Sequence, residues 1–270
     1  MIKFLKNFDE DIRKSLVAQI RNLWTHSSTA IEGNTLTLGE TAFVIEEGLT
    51  VSGKPLKDHQ EVVGHARAID LIYGMLEKNS PITDEDLFDL HRSIQTAIII
   101  DIYKPIGGWK KGPNGTTMVK GDKQIFFEYS NPLDVPVLMK QWLKLLNKTL
   151  STSELNPEDA ANAYADLHIS FVHIHPFFDG NGRMARLISN LPVLKSGYPP
   201  ILIPKTKRKD YIILLSDYEL ATGPLAPKDS LIHMNHELVQ FRSFCESAWA
   251  ETHHLVQEAR NHQKKRSETP

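Results

Sequence analysis

The stretch His175-Pro176-Phe177-Phe178-Asp179-Gly180-Asn181-Gly182-Arg183-Met184-Ala185-Arg186 decides how this chain is read. It gathers a histidine, a carboxylate, a Gly-x-Gly turn and two arginines into consecutive positions. Upstream, residues 162–174 are apolar at helical spacing (Ala165, His168, Ile169, Val172), and Pro176 forbids simple continuation of that helix. Downstream, residues 183–194 read as a second helix, which makes residues 179–182 its N-terminal approach.

That location supplies chemistry. The first N–H groups of a helix have no internal partner and carry the positive end of the dipole, so they attract anions. Gly180 and Gly182 are free to take positive φ and let a phosphate approach the main chain. Arg183 and Arg186, at i and i+3, share one helical face and suit phosphate oxygens. Asp179 is a hard oxygen ligand for a magnesium ion bridging phosphates. His175 stands at the loop entrance, where an imidazole with an unperturbed pKa of about 6.5 serves as general base. The constellation fits phosphoryl or nucleotidyl transfer.

Two other readings fail on context. Gly180-x-Gly182-x-x-Ala185 imitates a dinucleotide-binding fingerprint, but that fingerprint follows a strand and precedes an acidic residue, whereas here a helix comes first and the region near residue 205 is basic. His168, His173 and His175 are badly spaced for a zinc site and lack cysteine support; His168 and His173 are expected to be packed.

The run HPFFDGNGRMAR resembles the signature of the Fic (filamentation induced by cAMP) family, HPFxDGNGRxxR, at every fixed position. The resemblance implies a mainly α Fic fold, a helical bundle with a small β-hairpin flap. It also implies a protein adenylyltransferase that moves AMP from ATP to a Ser, Thr or Tyr hydroxyl of a target protein. Carried over by the motif, His175 would deprotonate the target hydroxyl and Asp179 would hold Mg²⁺. Gly180, Asn181, Gly182 and Arg183 would cradle the phosphates, and Arg186 would meet the γ-phosphate of ATP. Phosphorylating relatives usually carry lysine at the second loop glycine, so Gly182 argues against that branch. A different nucleotide or phosphate donor, or a non-catalytic interaction protein, are the alternatives.

Working outward to the N-terminus, residues 9–31 predict a helix with Ile12, Leu16, Ile20, Leu23 and Trp24 on its apolar face and Gly33 as its stop. Glu32 falls in the last turn, where a negative charge opposes the dipole and asks for a cation. Ser28-x-x-x-Glu32-Gly33-Asn34 resembles the [S/T]xxxE[G/N] inhibitory motif of many Fic proteins. That resemblance implies that Glu32 pairs with Arg186 and blocks seating of the γ-phosphate, with Ser28 in the same motif. Its N-terminal position marks the class with an intramolecular inhibitory helix (class II), here about residues 9–33. Auto-AMPylation and de-AMPylation are further activities the resemblance brings into view.

The rest of the N-terminal half is helical by pattern: residues 38–47 capped by Thr37 and ended by Gly48, residues 58–78, and a helix opened by Thr83-Asp84-Glu85-Asp86 that carries Leu87, Leu90, His91 and Ile94. His91 is expected to be packed or at the surface. Glycines then punctuate residues 106–131, and Thr116–Val119 and Gln124–Phe127 flank a lysine turn, predicting a hairpin. In Fic enzymes a hairpin here is the flap that registers the target by strand addition. Gly108-Trp109-Lys110 is an imperfect match to the family's Gly-x-[Phe/Tyr]-Arg.

Residues 134–150 predict an apolar-faced helix, and Asn156-Pro157-Glu158-Asp159 opens the helix that delivers His175. Gly197-Tyr198-Pro199-Pro200 matches a turn common in the family; residues 201–204 are extended and 210–222 helical. Tyr211 is expected on the adenine side, the basic residues Lys205, Lys207, Arg208 and Lys209 in solvent. Residues 229–262 read as helix and 264–270 as a frayed tail. The C-terminal helix has two roles open to it, packing on the core or self-association into a homodimer. The resulting division is an N-terminal helical region (1–80), a catalytic core (81–223) with its flap at about 107–131, and a C-terminal extension (224–270).

Bulk properties set the frame. With 41% hydrophobic and 24% charged residues the chain has an ordinary globular composition and a core to bury. A net charge of −2 supplies no electrostatic drive toward nucleic acid or membranes. The single Cys245 excludes an internal disulfide and fits a reducing compartment. The N-terminal residues lack the apolar run of a signal peptide, and nothing approaches the roughly 20 apolar residues of a membrane span. A cytoplasmic location is the expectation.

Overall fold

Helix α6 (Pro157–Ile174) is the axis of the molecule. Asn156 caps it by accepting from the Asp159 N–H at 2.9 Å, with Pro157 at the first helical position, as the sequence predicts. It is apolar around most of its circumference, and such a helix is covered on all sides. α5 (Val135–Ser151), α7 (Asn181–Ile188), α8 (Leu191–Lys195) and α10 (His236–Ala248) pack on it. Trp142 of α5 donates its indole N–H to the Leu167 carbonyl and the Ser170 hydroxyl, so even the polar edge of this buried ring is satisfied. The computed structural model describes residues 3–95, 104–120, 122–152 and 154–268.

A second layer comes from the N-terminal half. α1 (Glu10–Ile31) lies against α2 (Leu38–Glu47) and α3 (Leu56–Glu77), and α3 lies against α4 (Asp84–Ile94). Thr37, the predicted cap of α2, forms a capping box with Glu40, and Thr83 and Asp86 form one at the start of α4. One continuous apolar core joins the layers, from Ile12, Ile20 and Trp24 through Trp142 and Phe171 to Phe241 and Trp249. The hairpin pairs β1 (Gly115–Lys120) with β2 (Lys123–Glu128) antiparallel, Thr117 opposite Phe126 and Lys120 opposite Lys123. Of its predicted turn, residue 121 lies outside the described residues. The architecture is mainly α with one two-stranded sheet among the described residues. No described helix is long and apolar enough to cross a membrane.

Three expectations are corrected. The single helix expected over 183–194 is two, α7 and α8, broken at Ser189-Asn190. Pro192 lacks the N–H that would continue the ladder, and Asn190 turns its side chain to the Arg186 and Ile201 carbonyls. The helix expected over 229–262 begins only at His236, with Asn235 accepting from the Leu238 N–H, and breaks at Trp249 before α11 (Ala250–Glu268). Of the tail expected to fray, residues 264–268 are instead the last turn of α11, held because Arg266 pairs with Asp11 at 2.6 Å and Gln263 reaches the Asn7 carbonyl, while 269–270 lie outside the described residues. α11 thus packs on the core along α1.

Candidate active site

The signature runs from the C-terminus of α6 into the N-terminus of α7. His175 ends α6 in the left-handed region (φ 54°, ψ 58°) and donates its N–H to the Phe171 carbonyl. A β-carbon there costs about 1 kcal/mol, but the following proline disfavours the helical alternative. The imidazole Nδ1 stands 3.1 Å from the Val172 carbonyl. A carbonyl only accepts, so Nδ1 carries the proton and Nε2 keeps its lone pair. Burial, then the nearby Lys110 charge, push the His175 pKa down to about 3. The side chain is a neutral base with its reactive nitrogen unspent.

The loop closes on itself. Asn181 is 2% exposed and exchanges two hydrogen bonds with Phe177, accepting from its N–H and donating to its carbonyl, each at 2.9 Å. Its side chain therefore locks the turn, and its contribution to an anion falls to its main chain. Gly180 caps α7 at φ 81°, a conformation that suits glycine. The loop N–H groups and the α7 dipole form an anion cradle. Asp179 lies above it, its side chain 71% exposed, with Oδ2 accepting from Gln95 at 2.9 Å and from Arg183 at 3.4 Å. Burial opposes its ionisation, but Gln95 and Arg183 outweigh it and hold the pKa below the usual range.

Arg183 and Arg186 share a face, as their spacing predicts, yet point to different partners. Arg183 donates to the Ile94 carbonyl at 3.2 Å and lies 4.0 Å from Glu61. Arg186 is nearly sealed, with 3% of its side chain exposed. It donates to the Ser28 hydroxyl (3.0 Å), the Ser28 carbonyl (2.9 Å), Glu32 Oε1 (2.6 Å) and the Tyr211 hydroxyl (3.3 Å). Four of the five guanidinium donors are thus taken. Burial opposes the charge, but Glu32 and Tyr211 raise the Arg186 pKa above its ordinary value. The expected Glu32–Arg186 pair is formed, with Ser28 on the same guanidinium. A β-carbon at Gly182 would stand 2.9 Å from Glu32 Oε1 and 3.0 Å from Arg186 Nη1, so glycine there leaves room for the pair.

A family model, described as the Fic/DOC family, matches residues 81–192. Residues 81–192 form a domain of the Fic/DOC family. A "Protein adenylyltransferase Fic" of Drosophila persimilis is 37% identical over 186 residues, 69% of this chain and 34% of that protein. The match therefore spans about a third of the length of such curated relatives. Among solved structures, a Fic domain containing signaling protein from Bacteroides thetaiotaomicron aligns with a TM-score of 0.81 at 27% identity, over 95% of this chain and 93% of that one. Fic-1 of C. elegans aligns with a TM-score of 0.69 at 25% identity, over 97% of this chain and 69% of that one.

One assignment around the Fic loop is corrected. Tyr211 is 1% exposed beneath Arg186, with its hydroxyl tied to Arg186 and, at 2.9 Å, to His168 Nε2. It supports the arginine and has no face left for an adenine. Arg208 is exposed like Lys205 and Lys209, as expected of the basic cluster, and in addition donates to the Ile31 carbonyl at 2.6 Å, capping the end of α1 beside Glu32. His168 and His173 are packed as expected.

The sequence reading missed several supports of the Fic loop. His91 accepts from the Gly107 N–H at its Nδ1, so its Nε2 donates to the Asp179 carbonyl at 3.1 Å; the ring stacks on Phe177 at 3.9 Å. Burial drives its pKa down to about 4, which keeps the ring neutral, and the Gly107 N–H selects this tautomer. Its place beside Leu87, Leu90 and Ile94 on one apolar face was the available signal. Gln95, Asn114, Tyr129 and Lys110 carry no such signal. Asn34 adds a link by donating to Glu61, the carboxylate near Arg183, so the end of α1 reaches both arginines.

Proposed function

We propose that this chain is a protein adenylyltransferase that transfers AMP from MgATP to a Ser, Thr or Tyr hydroxyl of a target protein and is held inactive by Glu32. The observation that carries the reading is the free Nε2 of His175 beside a glycine loop whose Arg186 is occupied by the protein's own carboxylate. In this scheme the target oxygen attacks the α-phosphorus while Nε2 takes the hydroxyl proton. The bond from the α-phosphorus to the bridging oxygen breaks, and pyrophosphate leaves. The main-chain N–H groups of the Gly180–Gly182 turn and Arg183 hold the phosphates.

A single exposed carboxylate, completed by phosphate oxygens and water, suits Mg²⁺, and Asp179 is that group; the ion would offset phosphate charge. Glu32 acts by competition: while it holds Arg186, the guanidinium keeps one donor, too few to seat a γ-phosphate bidentately. On this reading residues 1–80 regulate, 81–223 catalyse and 224–270 buttress. The target segment pairs with an edge of the two-stranded flap, whose outer face carries the exposed Val119 and Phe126.

The test is incubation of the wild-type and Glu32→Gly proteins with ATP and Mg²⁺, followed by mass spectrometry of intact and digested protein. An AMP adduct on the Glu32→Gly protein, weak or absent on wild type, is expected. Equal silence of both with ATP, alongside adducts from another nucleotide, would replace the donor in this reading.

A further inference from the structure

Lys110 is buried, 2% exposed at the root of the hairpin. Lysine is almost never fully buried unless paired. No carboxylate of the described residues lies within ion-pair distance of it; Nζ instead donates to Asn114 Oδ1 at 2.6 Å. Burial lowers its pKa to about 8, so the ammonium form prevails at neutral pH.

The contacts around it converge on His175. The Lys110 main-chain N–H donates to the carbonyl of Pro176, the next residue after the base, at 2.9 Å. An ammonium has only donors, so it fixes which end of the Asn114 amide faces it. Nδ2 must then point the other way, where it donates to the Phe177 carbonyl at 3.1 Å and the Phe178 carbonyl at 3.4 Å. The Asn114 carbonyl accepts from the Tyr129 N–H at 3.1 Å. Tyr129 lies flat on the His175 imidazole, centroids 3.6 Å apart and planes 10° from parallel, with Lys110 Nζ 5.9 Å from its centroid.

We propose that Lys110 is a positioning residue for His175: its ammonium orients Asn114, and through it the Pro176–Phe178 main chain, and its charge disfavours a second proton on the stacked imidazole. This rests on His175 being the general base. The groups facing that imidazole are Lys110 from the hairpin root, Tyr129 from its exit, Asp179 from the loop and the Val172 carbonyl from α6; Glu219 of α9 (Arg208–Thr222) faces Tyr129 from behind. Asp179 favours a protonated imidazole and Lys110 opposes it, Lys110 being the larger influence of the two.

The experiment has two arms. In nucleotide-free protein, the ring carbon and nitrogen shifts of His175 are followed by NMR against pH in the parent, Lys110→Met and Lys110→Arg. The expected result is a midpoint raised by about one unit or more in Lys110→Met, with Lys110→Arg close to the parent. In the Glu32→Gly background, Lys110→Met should lower kcat for AMP transfer about tenfold or more while KM for ATP moves little, and Lys110→Arg should restore most of the loss. An unchanged midpoint in Lys110→Met overturns the proposal, and so does a kcat equal to that of the parent. If the Glu32→Gly parent transfers no AMP, the adenylyltransferase reading fails while the titration still decides Lys110.

Discussion

The two ends of the signature loop are held by different parts of the chain and in opposite ways. At the His175 end the hairpin supplies main-chain hydrogen bonds and a flat aromatic contact, and the reactive nitrogen is left unused. At the Arg186 end α1 supplies a hydroxyl, a carbonyl and a carboxylate, and almost every donor is consumed. The carboxylates near the two ends differ as well. Glu32 is paired with arginine, its side chain 39% exposed; Glu219, behind Tyr129, is 3% exposed and its Oε1 has no partner. On the proposed function, one end is assembled for use and the other is assembled to be released. Breaking each should therefore have opposite consequences.

The largest effect belongs to the base. His175→Ala in the Glu32→Gly background should reduce AMP transfer from labelled ATP by roughly 100-fold to 10,000-fold. The Glu32–Arg186 pair touches none of the same atoms, so thermal stability should change little beyond the loss of the ring contact with Tyr129. Retention of most activity would remove His175 from the mechanism and leave the comparison with one end.

Releasing the other end comes next. Glu32→Gly should raise transfer by about 5- to 150-fold, the range in which an internal competitor is worth 1–3 kcal/mol. The same change strips a partner from a buried guanidinium. Because Glu32 is partly exposed and Ser28 keeps two of the bonds, the expected loss is only about 1 kcal/mol, seen as a Tm lower by a few degrees. Activation together with destabilisation is the expected combination. Activation without any loss of stability would mean that the pair contributes nothing to holding α1.

Arg208 tests whether α1 is held by its end or along its length. Its guanidinium satisfies the Ile31 carbonyl next to Glu32, where the helix dipole opposes that carboxylate. Arg208→Ala should cost about 1 kcal/mol of local stability at the end of α1, and so raise transfer only a few-fold. Hydrogen exchange of residues 28–34 should quicken while the core of α6 stays protected. Unchanged exchange would assign the hold on Glu32 to Arg186 alone.

The contrast also explains what could be read before the fold was known. Arg186 and Glu32 were legible because each stands in a local pattern: the arginine at i+3 from Arg183, and the glutamate in a last turn where the dipole rejects it. The helices with polar caps, α2, α4 and α6, were legible for the same reason, since Thr37, Thr83 and Asn156 announce their starts within four residues. The brace on His175 was not. Lys110, Asn114 and Tyr129 lie between 46 and 65 residues before it in the chain, and a lysine beside glycines ordinarily reads as solvent-facing surface. Tyr211 failed for a related reason. Its helix was placed, but whether its ring faced a pocket or a buried arginine depended on how α9 rolls against α6. The break at Ser189-Asn190 was visible in Pro192 and was overridden by apolar periodicity.

The last test concerns Glu219 and separates the two carboxylates by pH. Burial raises its pKa from an ordinary 4.5 to about 8, so in the folded protein it stays protonated at neutral pH, whereas the unfolded chain ionises it. A group whose pKa is raised on folding contributes its stability fully below the unfolded value, here 4.5, and loses it as pH rises through about 8. The loss is at most about 1.4 kcal/mol for each pH unit inside that window. Glu219→Gln keeps the size of the neutral acid and removes the titration. Urea denaturation from pH 5 to pH 9 should therefore show wild type losing stability relative to Glu219→Gln across the window, with the gap level above it. A gap that does not change with pH would mean that Glu219 is ionised in the folded protein and has a partner. In that case the His175 end would hold a second buried charge, and the contrast with Glu32 would rest on exposure alone.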